Sequence, residues 1–474
     1  MLKTGLSLSV LIWLFFPLSI QAQPGGPPQG TATVSGIVTL EGKPVGEAIV
    51  YLFNPRLGRG WAYAYPSVTD GNGRFHIAHV AAGEYRISAH APAHISPGAD
   101  GMRRGLPLVV AEGENLKDVA LKIERGGAIA GKITDAQGRP VIEAGIDLYR
   151  LDENGNPQRY YFGDKYHGVY RTDDRGSYRL YGLPEGDYVL CVGYERPPVT
   201  RSVVYPRLCY PNATSESKAR VIEVALGSEA DDIDIILPDP TRHQIAREWS
   251  GEVTVRLVTE DGTGLPDMGV HLMPVTEDGQ WIPGVTASVY ADTDESGRFT
   301  MNRSWLGEAT FSSISVSNAK GYVPDLPPIP VIGGLRYLCR GLGDRITITM
   351  IKGAVITGKV TTAEGEPVSG AYIGVEMMRD GKGGPVGRGE TEFPVWTDDR
   401  GVYRLYGLAP GTYAVFTRYN LTGRIATYGA TYGAGVSTYH PSSERKTATM
   451  VAVSSGSEAS GIDIRYRGDR GRIR

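Results

Sequence analysis

One segment of this chain occurs twice almost letter for letter, and it limits the possible folds more than any other feature. The segment from Thr172 to Leu190 reads TDDRGSYRLYGLPEGDYVL, and it returns from Thr397 to Val415 as TDDRGVYRLYGLAPGTYAV. Weaker copies lie at Thr69–Ile87 and Thr293–Phe311. Four copies of one pattern indicate four copies of one supersecondary unit along the chain.

The repeated segment predicts a β-hairpin with one buried face. Asp and Gly at 173–176 favour a turn, because Asp caps its own backbone and Gly adopts a positive φ without strain. Tyr178 and Leu180 then alternate with Arg179, which is the period of a strand. A second turn follows, and apolar residues alternate again from Tyr188.

A tyrosine occupies the same corner in both strong copies. Tyr188 and Tyr413 each follow a Gly-x pair after the second turn, and each begins an alternating apolar strand. A tyrosine at such a strand corner often buries its ring and bonds its hydroxyl to nearby backbone. We therefore predict that both rings lie between two sheets.

The composition favours many short strands over disorder. Glycine and proline number 63 and 31 among 474 residues, yet hydrophobic residues make up 41% and are regularly spaced. The length allows about three or four domains. The predicted fold class is all-β, with tandem small antiparallel β-sandwich domains.

The hairpins divide the chain into predicted segments. These are a signal peptide at 1–22, a Pro/Gly linker at 23–30, β-sandwiches at 31–124, 125–240, 249–351 and 352–466, and a basic tail at 467–474. The third sandwich is the most divergent, because Trp305-Leu-Gly-Glu stands where Gly-x-Tyr is expected. Hairpins one and three lie 224 residues apart, and hairpins two and four lie 225 residues apart. We therefore infer that a two-domain unit was duplicated.

Two glycine motifs recur ahead of the hairpins. They are Gly-x-Val or Gly-x-Ile at Gly36, Gly131 and Gly358, and Gly-x-Pro at Gly42, Gly138 and Gly365. With Thr-Asp-x-x-Gly-x-Tyr/Phe and Gly-x-Tyr, they resemble tandem carboxypeptidase regulatory-like domains, which are transthyretin-like, Cna B-type β-sandwiches. The resemblance covers most of residues 31–466 and is weak in the third sandwich.

The resemblance implies a fold but no catalytic activity. It implies about seven antiparallel strands in two Greek-key sheets per domain. It often implies a carbohydrate-binding-like superfold. Peptidase activity is not implied, because the regulatory domain of carboxypeptidases is not the catalytic one.

An apolar run near the N-terminus predicts export. Lys3 precedes the run Leu6–Ile20, and the sequence becomes polar and Pro-rich after Ala22. This order predicts a secretory signal peptide cleaved after Ala22, whereas the alternative, a membrane anchor, needs a longer run. No later segment is long enough to cross a membrane. We therefore expect an exported protein that is periplasmic, at the cell surface or extracellular.

The cysteines predict one disulfide. Export permits disulfides, and the chain has three cysteines. Cys191 and Cys209 belong to one repeat and are predicted to pair, which leaves Cys339 over. Stability must therefore come mainly from hydrophobic cores.

No motif for catalysis is found in the sequence. None of the eight His is followed by Glu three residues later, as zinc carboxypeptidases require, and neither a Gly-x-Ser-x-Gly elbow nor a phosphate-binding loop is present. The net charge of −3 implies neither nucleic acid nor an anionic membrane as partner. We expect no catalytic residue, no cofactor and no metal, and therefore no enzyme.

Aspartates cluster in the hairpin turns. They are Asp70, Asp173, Asp174, Asp294, Asp398 and Asp399. Calcium takes about six to eight oxygens, whereas each turn supplies two or three. We therefore interpret these aspartates as turn caps.

Aromatic residues are the one feature that suggests a ligand. Tyr and Trp suit stacking on sugar rings or peptide, and many lie between predicted strands. The candidate ligand-binding aromatics are Trp61, Tyr63, Tyr65, Tyr160, Tyr161, Tyr166, Tyr428, Tyr432 and Tyr439. The alternative is that they pack over the open ends of the sandwiches.

These observations predict a non-enzymatic exported binding or scaffold protein of bacterial type, with carbohydrate binding at the cell surface as one role. The expected partners are a glycan or a cell-surface protein. The alternatives are a purely structural spacer and an accessory domain string for a separate enzyme or outer-membrane system.

Overall fold

The structure is a computed structural model, and it describes the greater part of the chain. The described residues are 29–46, 48–55, 64–91, 93–96, 105–160, 171–194, 203–242, 253–277, 282, 289–302, 311–317, 321–331, 334–340, 345–383, 386, 395–418, 437–442 and 444–466. The predicted signal peptide, Pro/Gly linker up to Pro28 and basic tail lie outside them. No helix in these ranges is both long and apolar enough to cross a membrane.

The first half of the chain forms two sets of strands, which we call repeats one and two. Repeat one contains β1 (Gln29–Leu40), β2 (Lys43–Pro44), β3 (Ile49–Phe53), β4 (Ala64–Val68), β5 (Arg74–Val80), β6 (Gly83–Ala91), β7 (His94–Ile95), β8 (Leu106–Val110) and β9 (Asn115–Arg125). Repeat two contains β10 (Gly127–Asp135), β11 (Ile146–Leu151), β12 (Pro157–Arg159), β13 (Ser177–Leu183), β14 (Gly186–Val192), β15 (Val203–Val204), β16 (Leu208–Cys209), a 3-10 helix (Glu216–Lys218), β17 (Ile222–Val224), β18 (Glu229–Ala230), β19 (Ile235–Leu237) and β20 (Thr241–Arg242).

The second half forms repeats three and four. Repeat three contains β21 (Val253–Val258), β22 (Gly269–Val275), β23 (Val289–Asp292), β24 (Arg298–Met301), β25 (Phe311–Ser317), β26 (Tyr322–Pro324), β27 (Pro328–Val331), β28 (Gly334–Arg340) and β29 (Arg345–Lys352). Repeat four contains β30 (Ala354–Thr361), β31 (Tyr372–Asp380), β32 (Val395–Trp396), β33 (Val402–Leu408), β34 (Gly411–Arg418), β35 (Thr438–Tyr439), a 3-10 helix (Arg445–Thr447), β36 (Met450–Val453), β37 (Glu458–Ala459) and β38 (Ile464–Arg465). The chain is therefore all-β, as predicted.

All four repeats use one arrangement of strands. The opening strand pairs antiparallel with the first hairpin strand, in the pairs β1–β5, β10–β13, β21–β24 and β30–β33. It also pairs parallel with the closing strand, in the pairs β1–β9, β10–β19, β21–β29 and β30–β38. The second hairpin strand joins the other sheet, beside β3, β11, β22 or β31. Each hairpin therefore bridges two sets of paired strands, and each repeat contains a parallel pair that hairpin patterns do not reveal. In repeat one, β7 also pairs with β9, so its strands form one nine-stranded sheet.

The corner tyrosines are confirmed as core residues. Tyr188 and Tyr413 are both 0% exposed. The Tyr188 hydroxyl donates to the Pro184 carbonyl at 2.8 Å, and the Tyr413 hydroxyl donates to the Ala409 carbonyl at 2.7 Å. Each ring fills the core while its polar tip stays hydrogen-bonded, which avoids the cost of a buried unpaired hydroxyl.

Single glycines connect neighbouring repeats. Gly126 separates β9 from β10, and Gly353 separates β29 from β30. A Cβ on Gly126 would lie 2.6 Å from the Gly182 Cα, and a Cβ on Gly353 would lie 2.7 Å from the Gly407 Cα. Only glycine permits such a close approach, so repeat one packs tightly on repeat two, and repeat three on repeat four.

Candidate functional site

A buried threonine anchors the start of every hairpin. In repeat two, the Thr172 Oγ1 accepts the Ala144 N–H and donates to the Val141 carbonyl. Thr397 does the same with Ala371 and Val368 in repeat four. The equivalent threonines of repeats one and three are Thr69 and Thr293. Each hairpin therefore leaves its sandwich from a fixed position.

The first aspartate of each turn caps the turn, as predicted. The Asp173 Oδ1 accepts the N–H groups of Arg175 and Ser177, each at 2.9 Å. Its Oδ2 accepts the Arg175 guanidinium at 2.7 Å. Asp70, Asp294 and Asp398 bind their own turns through the same two N–H positions. Capping therefore holds the turn rigid.

The second aspartate has a different role, and its interpretation as a turn cap was wrong. In repeat four, Asp399 receives both N–H arms of Arg179 from repeat two, at 2.5 and 2.9 Å. In repeat two, Asp174 receives both arms of Arg404 from repeat four, at 2.6 and 2.9 Å. The turn backbone is already satisfied by the first aspartate, so the second is available to bind across. We call these two bidentate ion pairs the reciprocal contact.

The reciprocal contact is largely shielded from water. The side chains of Arg179 and Asp399 are 9% and 3% exposed, and those of Arg404 and Asp174 are 11% and 16% exposed. Shielding from solvent strengthens a bidentate arginine–carboxylate pair, which also fixes orientation through its planar geometry. Breaking such a buried pair typically costs about 3–5 kcal/mol, although forming it gains much less. The contact therefore selects one orientation of repeats two and four.

Each arginine is also held by its own repeat. Arg179 binds Glu229 through its second terminal nitrogen, and Arg404 binds Glu458 in the equivalent way at 3.0 Å. The glutamates lie on β18 and β37, which are separated from the hairpin strands β13 and β33 by the opening strands β10 and β30. Both guanidinium groups are thereby oriented before the opposite repeat is engaged.

The charge of Asp399 is stabilised by two arginines. Burial alone would raise the pKa of Asp399, but the hydrogen bonds and charges of Arg179 and Arg125 outweigh burial and hold that pKa below its ordinary value. Arg125, at the end of β9, contacts Asp399 at 3.0 Å. Repeat one therefore also reaches the contact.

Two tyrosines border the reciprocal contact. The Tyr181 hydroxyl donates to the Thr397 carbonyl at 3.1 Å, from repeat two to repeat four. Burial raises the pKa of Tyr406, and the nearby carboxylates of Glu143, Asp173 and Asp174 in repeat two raise it further. The equivalent tyrosine of each hairpin thus faces the opposite repeat, which extends the two-fold relation beyond the ion pairs.

A disulfide joins the predicted cysteines. Cys191 on β14 and Cys209 on β16 are register partners and are bonded to each other. Cys339 is a buried free thiol. The disulfide belongs to a small cluster outside the main core of repeat two, together with buried Val189 and partly buried Tyr149 and Leu151.

Two of the predicted ligand-binding aromatics are interior residues, which corrects their assignment. Tyr65 lies on β4 and packs edge-on against Tyr85, while Tyr439 lies on β35 against Phe416. Tyr160 is half-buried and contacts the Tyr188 ring edge-on. The remaining candidates, Trp61, Tyr63, Tyr161, Tyr166, Tyr428 and Tyr432, lie outside the described residues. The three described members therefore pack against hydrophobic clusters of their own repeats.

The residues of the reciprocal contact carry a signal that the sequence interpretation missed. At the Asp174 and Arg179 positions, repeat one has Gly71 and His76 and repeat three has Glu295 and Thr300. Only the two strong copies combine Asp and Arg at these outward positions. Two charges shared by alternate repeats, where alternation predicts solvent exposure, indicate a surface that binds another surface.

Known proteins offer little further information. No family model matches the sequence, and no curated protein matches it. Similar solved structures include the Bacillus anthracis TIE protein (13% identity, TM-score 0.16, 92% of this chain and 68% of that one) and the minor pilin GBS52 of Streptococcus agalactiae (13%, 0.22, 45% and 98%). The major pilin BcpA of Bacillus cereus is a third (12%, 0.17, 73% and 100%). These TM-scores are too low to transfer a fold or a function to this chain.

Proposed function

We propose that this chain is a non-enzymatic exported scaffold protein whose four repeats form one rigid body. The observation that carries the proposal is the reciprocal contact, in which Arg179 binds Asp399 and Arg404 binds Asp174. A string of independent spacer domains would need no such contact between its second and fourth members. The contact brings repeat four back against repeat two.

The residues shared by the hairpins support a structural role. The threonine anchors the hairpin, the first aspartate caps its turn and the corner tyrosine fills its core. The second aspartate and the arginine join two repeats. The motif is therefore accounted for by architecture, residue by residue, and a scaffold requires this kind of rigidity.

Export and family membership are part of the same proposal. The apolar run Leu6–Ile20 supports a signal peptide, and a disulfide at Cys191 and Cys209 suits an oxidising compartment. The Gly-x-Pro turns and the hairpin motif support membership of the carboxypeptidase regulatory-like group. On this proposal the scaffold acts in the periplasm, at the cell surface or outside the cell.

Glycan or surface-protein binding is a second candidate function. It is supported by the tyrosine-rich sequences of residues 161–170 and 419–436, because tyrosine suits stacking on sugar rings or peptide. A glycan array would test it with the mature chain and with a variant in which Tyr161, Tyr166, Tyr428 and Tyr432 are alanine. Binding that the variant loses would support this function. Equal signals from both proteins would contradict it.

Small-angle X-ray scattering tests the scaffold proposal directly. The mature chain at neutral pH should scatter as one compact particle that matches the structure. Neutralising both arginines, as Arg179→Gln with Arg404→Gln, should increase the radius of gyration, because repeats two and four separate. Arg175→Gln with Arg400→Gln is the matched control, since these arginines bind only aspartates of their own turns in the structure. An extended wild-type particle would contradict the proposal.

A further inference from the structure

The hairpins of repeats two and four each carry both halves of the reciprocal contact. Asp174 and Arg179 belong to one hairpin, and Asp399 and Arg404 belong to the other. Each arginine binds the other hairpin's aspartate, and the corresponding distances agree within 0.1 Å. A contact in which residue i meets j while j meets i is isologous, as in two-fold symmetric dimers. Here one chain provides both sides.

Each hairpin is prepared for this contact by its own repeat. Asp173 and Asp398 fix the turns that carry Asp174 and Asp399. The guanidinium groups are oriented by Glu229 and Glu458, which are 37% and 47% exposed and remain partly in water. The binding geometry therefore exists before the partner arrives, which lowers the entropy cost of association.

We propose that each of these hairpins is a self-complementary docking surface, and that its partner in trans is the same hairpin of a second copy of this chain. The proposal rests on the scaffold function, because it uses the same contact. In a homotypic pair, Arg179 of each copy would bind Asp174 of the other, with the geometry that Arg404 and Asp174 show within one chain. Repeat four would pair with itself in the same way through Arg404 and Asp399.

The closed chain suppresses pairing between copies. The segment 243–252 joins repeat two to repeat three, whose core is continuous with that of repeat four. Repeats two and four are therefore tethered in one molecule, and a short tether gives an effective concentration in about the millimolar range. A second copy at micromolar concentration competes poorly with the internal partner. Removing the internal partner should therefore expose a hairpin that dimerises.

One-sided neutralisation of the full-length mature chain tests the proposal. Asp399→Asn with Arg404→Gln removes the charges of repeat four and leaves the hairpin of repeat two unchanged. The internal contact then faces Arg179 and Asp174 with uncharged side chains, while a second copy still offers them full partners. Sedimentation equilibrium from about 1 to about 100 µM, the range of weak protein affinities, should show the mass doubling. The wild-type chain should stay monomeric.

Two further variants complete the design. Neutralising repeat two instead, with Asp174→Asn and Arg179→Gln, should also give a dimer, now through repeat four. Neutralising all four residues should give a monomer, because no charged hairpin remains. High salt should weaken the two dimers only modestly, because the ion pairs are largely shielded from water.

The outcomes separate this proposal from the scaffold function. Scattering that shows a closed wild-type chain, together with one-sided variants that remain monomeric to about 100 µM, would overturn the docking proposal and keep the scaffold. Dimers of the four-residue variant would also overturn it, because association would then not depend on these charges. Circular dichroism and thermal unfolding of every variant identify any that misfold. If one one-sided variant misfolds, the other decides.

Discussion

Repeats two and four share an almost identical hairpin, yet they close the outer side of the neighbouring sheet with different chemistry. In repeat two, Cys191 and Cys209 face each other on β14 and β16 and form a disulfide. At the corresponding register positions of β34 and β35, repeat four has Phe416 and Tyr439, with ring centroids 5.2 Å apart. A covalent bond and an aromatic pair therefore serve the same position.

The buried charges on this outer side also differ in sign. Repeat two places the cation Arg207 between Asp147 and Glu216, at 2.9 and 2.7 Å. Repeat four places the anion Glu376 between Arg445 and the Tyr439 hydroxyl, at 2.6 and 3.0 Å. Each central charge is hydrogen-bonded on two sides, which is the condition for burying it.

The outer side of the sheet and the hairpin surface have different requirements, which explains where the sequences of the two repeats stay alike. The outer side needs only to be closed, and several combinations of residues achieve that. The hairpin of each repeat must fit the hairpin of the other, so a change in one would leave a buried charge unpaired in its partner. Similarity is therefore concentrated in the hairpin, where the two copies meet.

The largest expected effect concerns the corner tyrosines. Tyr188→Ala and Tyr413→Ala should each lower the free energy of unfolding by about 3–5 kcal/mol, the range for truncating a large core side chain. The hydrophobic core of repeat two is separate, whereas the cores of repeats three and four are continuous. Calorimetry should therefore show a local transition for Tyr188→Ala and a joint transition of repeats three and four for Tyr413→Ala. Identical traces for the two variants would contradict this account of the cores.

Loss of the disulfide gives the next largest expected effect, and it should affect repeat two but not repeat four. Replacing both Cys191 and Cys209 with alanine should destabilise repeat two by about 3 kcal/mol, the loss expected for opening a loop of this size. Repeat four has the aromatic pair at this position, so reductant should leave its transition unchanged. Urea unfolding with and without reductant measures both. If reductant lowered the stability of both repeats equally, the result would contradict the comparison.

The two aspartates of the reciprocal contact should differ in importance. Asp399 has Arg179 and Arg125 as partners and is 3% exposed, whereas Asp174 is 16% exposed. Asp399→Asn should therefore destabilise the closed chain by about 2 kcal/mol, less than the full cost of breaking a buried pair, because Arg179 keeps Glu229 as a charged partner. Asp174→Asn should cost less. Chemical unfolding of both variants measures the two losses of stability. A larger loss for Asp174→Asn than for Asp399→Asn would refute this prediction.

Acid should weaken the reciprocal contact once Asp399 becomes protonated. The folded-state pKa of Asp399 lies below its ordinary value of 3.8, so its contribution to stability is complete above that value. The contribution is lost as the pH falls through the lower folded-state pKa. Scattering at stepwise lower pH should show a compact chain down to about pH 4 and expansion below it. In Asp399→Asn this acid-dependent expansion should be reduced, and an unchanged profile would argue against the assignment.

Much of each repeat could be predicted from the sequence, because its signals are local. Strand alternation placed the hairpins, and the Asp-x-x-Gly pattern identified the caps at Asp173 and Asp398. The corner position identified Tyr188 and Tyr413 as core residues. These features depend on neighbours a few residues away.

Features that depend on distant segments could not be predicted in the same way. The parallel pairing of β10 with β19 joins the two ends of a repeat, and no hairpin pattern reports it. Arg179 reads as a solvent-facing strand residue until Asp399 is placed beside it. Tyr439 reads as a loop aromatic because β35 has only two residues.

A double-mutant cycle on Arg179 and Asp399 tests the central claim most directly, because that claim is a specific bond between repeats two and four. The free energy of unfolding would be measured for Arg179→Ala, Asp399→Ala and the double variant. Residues in contact typically show coupling of about 0.5–3 kcal/mol, and this buried bidentate pair should exceed about 1 kcal/mol. Arg179 with Asp294, the turn cap of repeat three, is the control pair and should be additive within about 0.5 kcal/mol, because Asp294 binds only its own turn in the described contacts. Additivity between Arg179 and Asp399 would show that the two repeats are not joined by this contact.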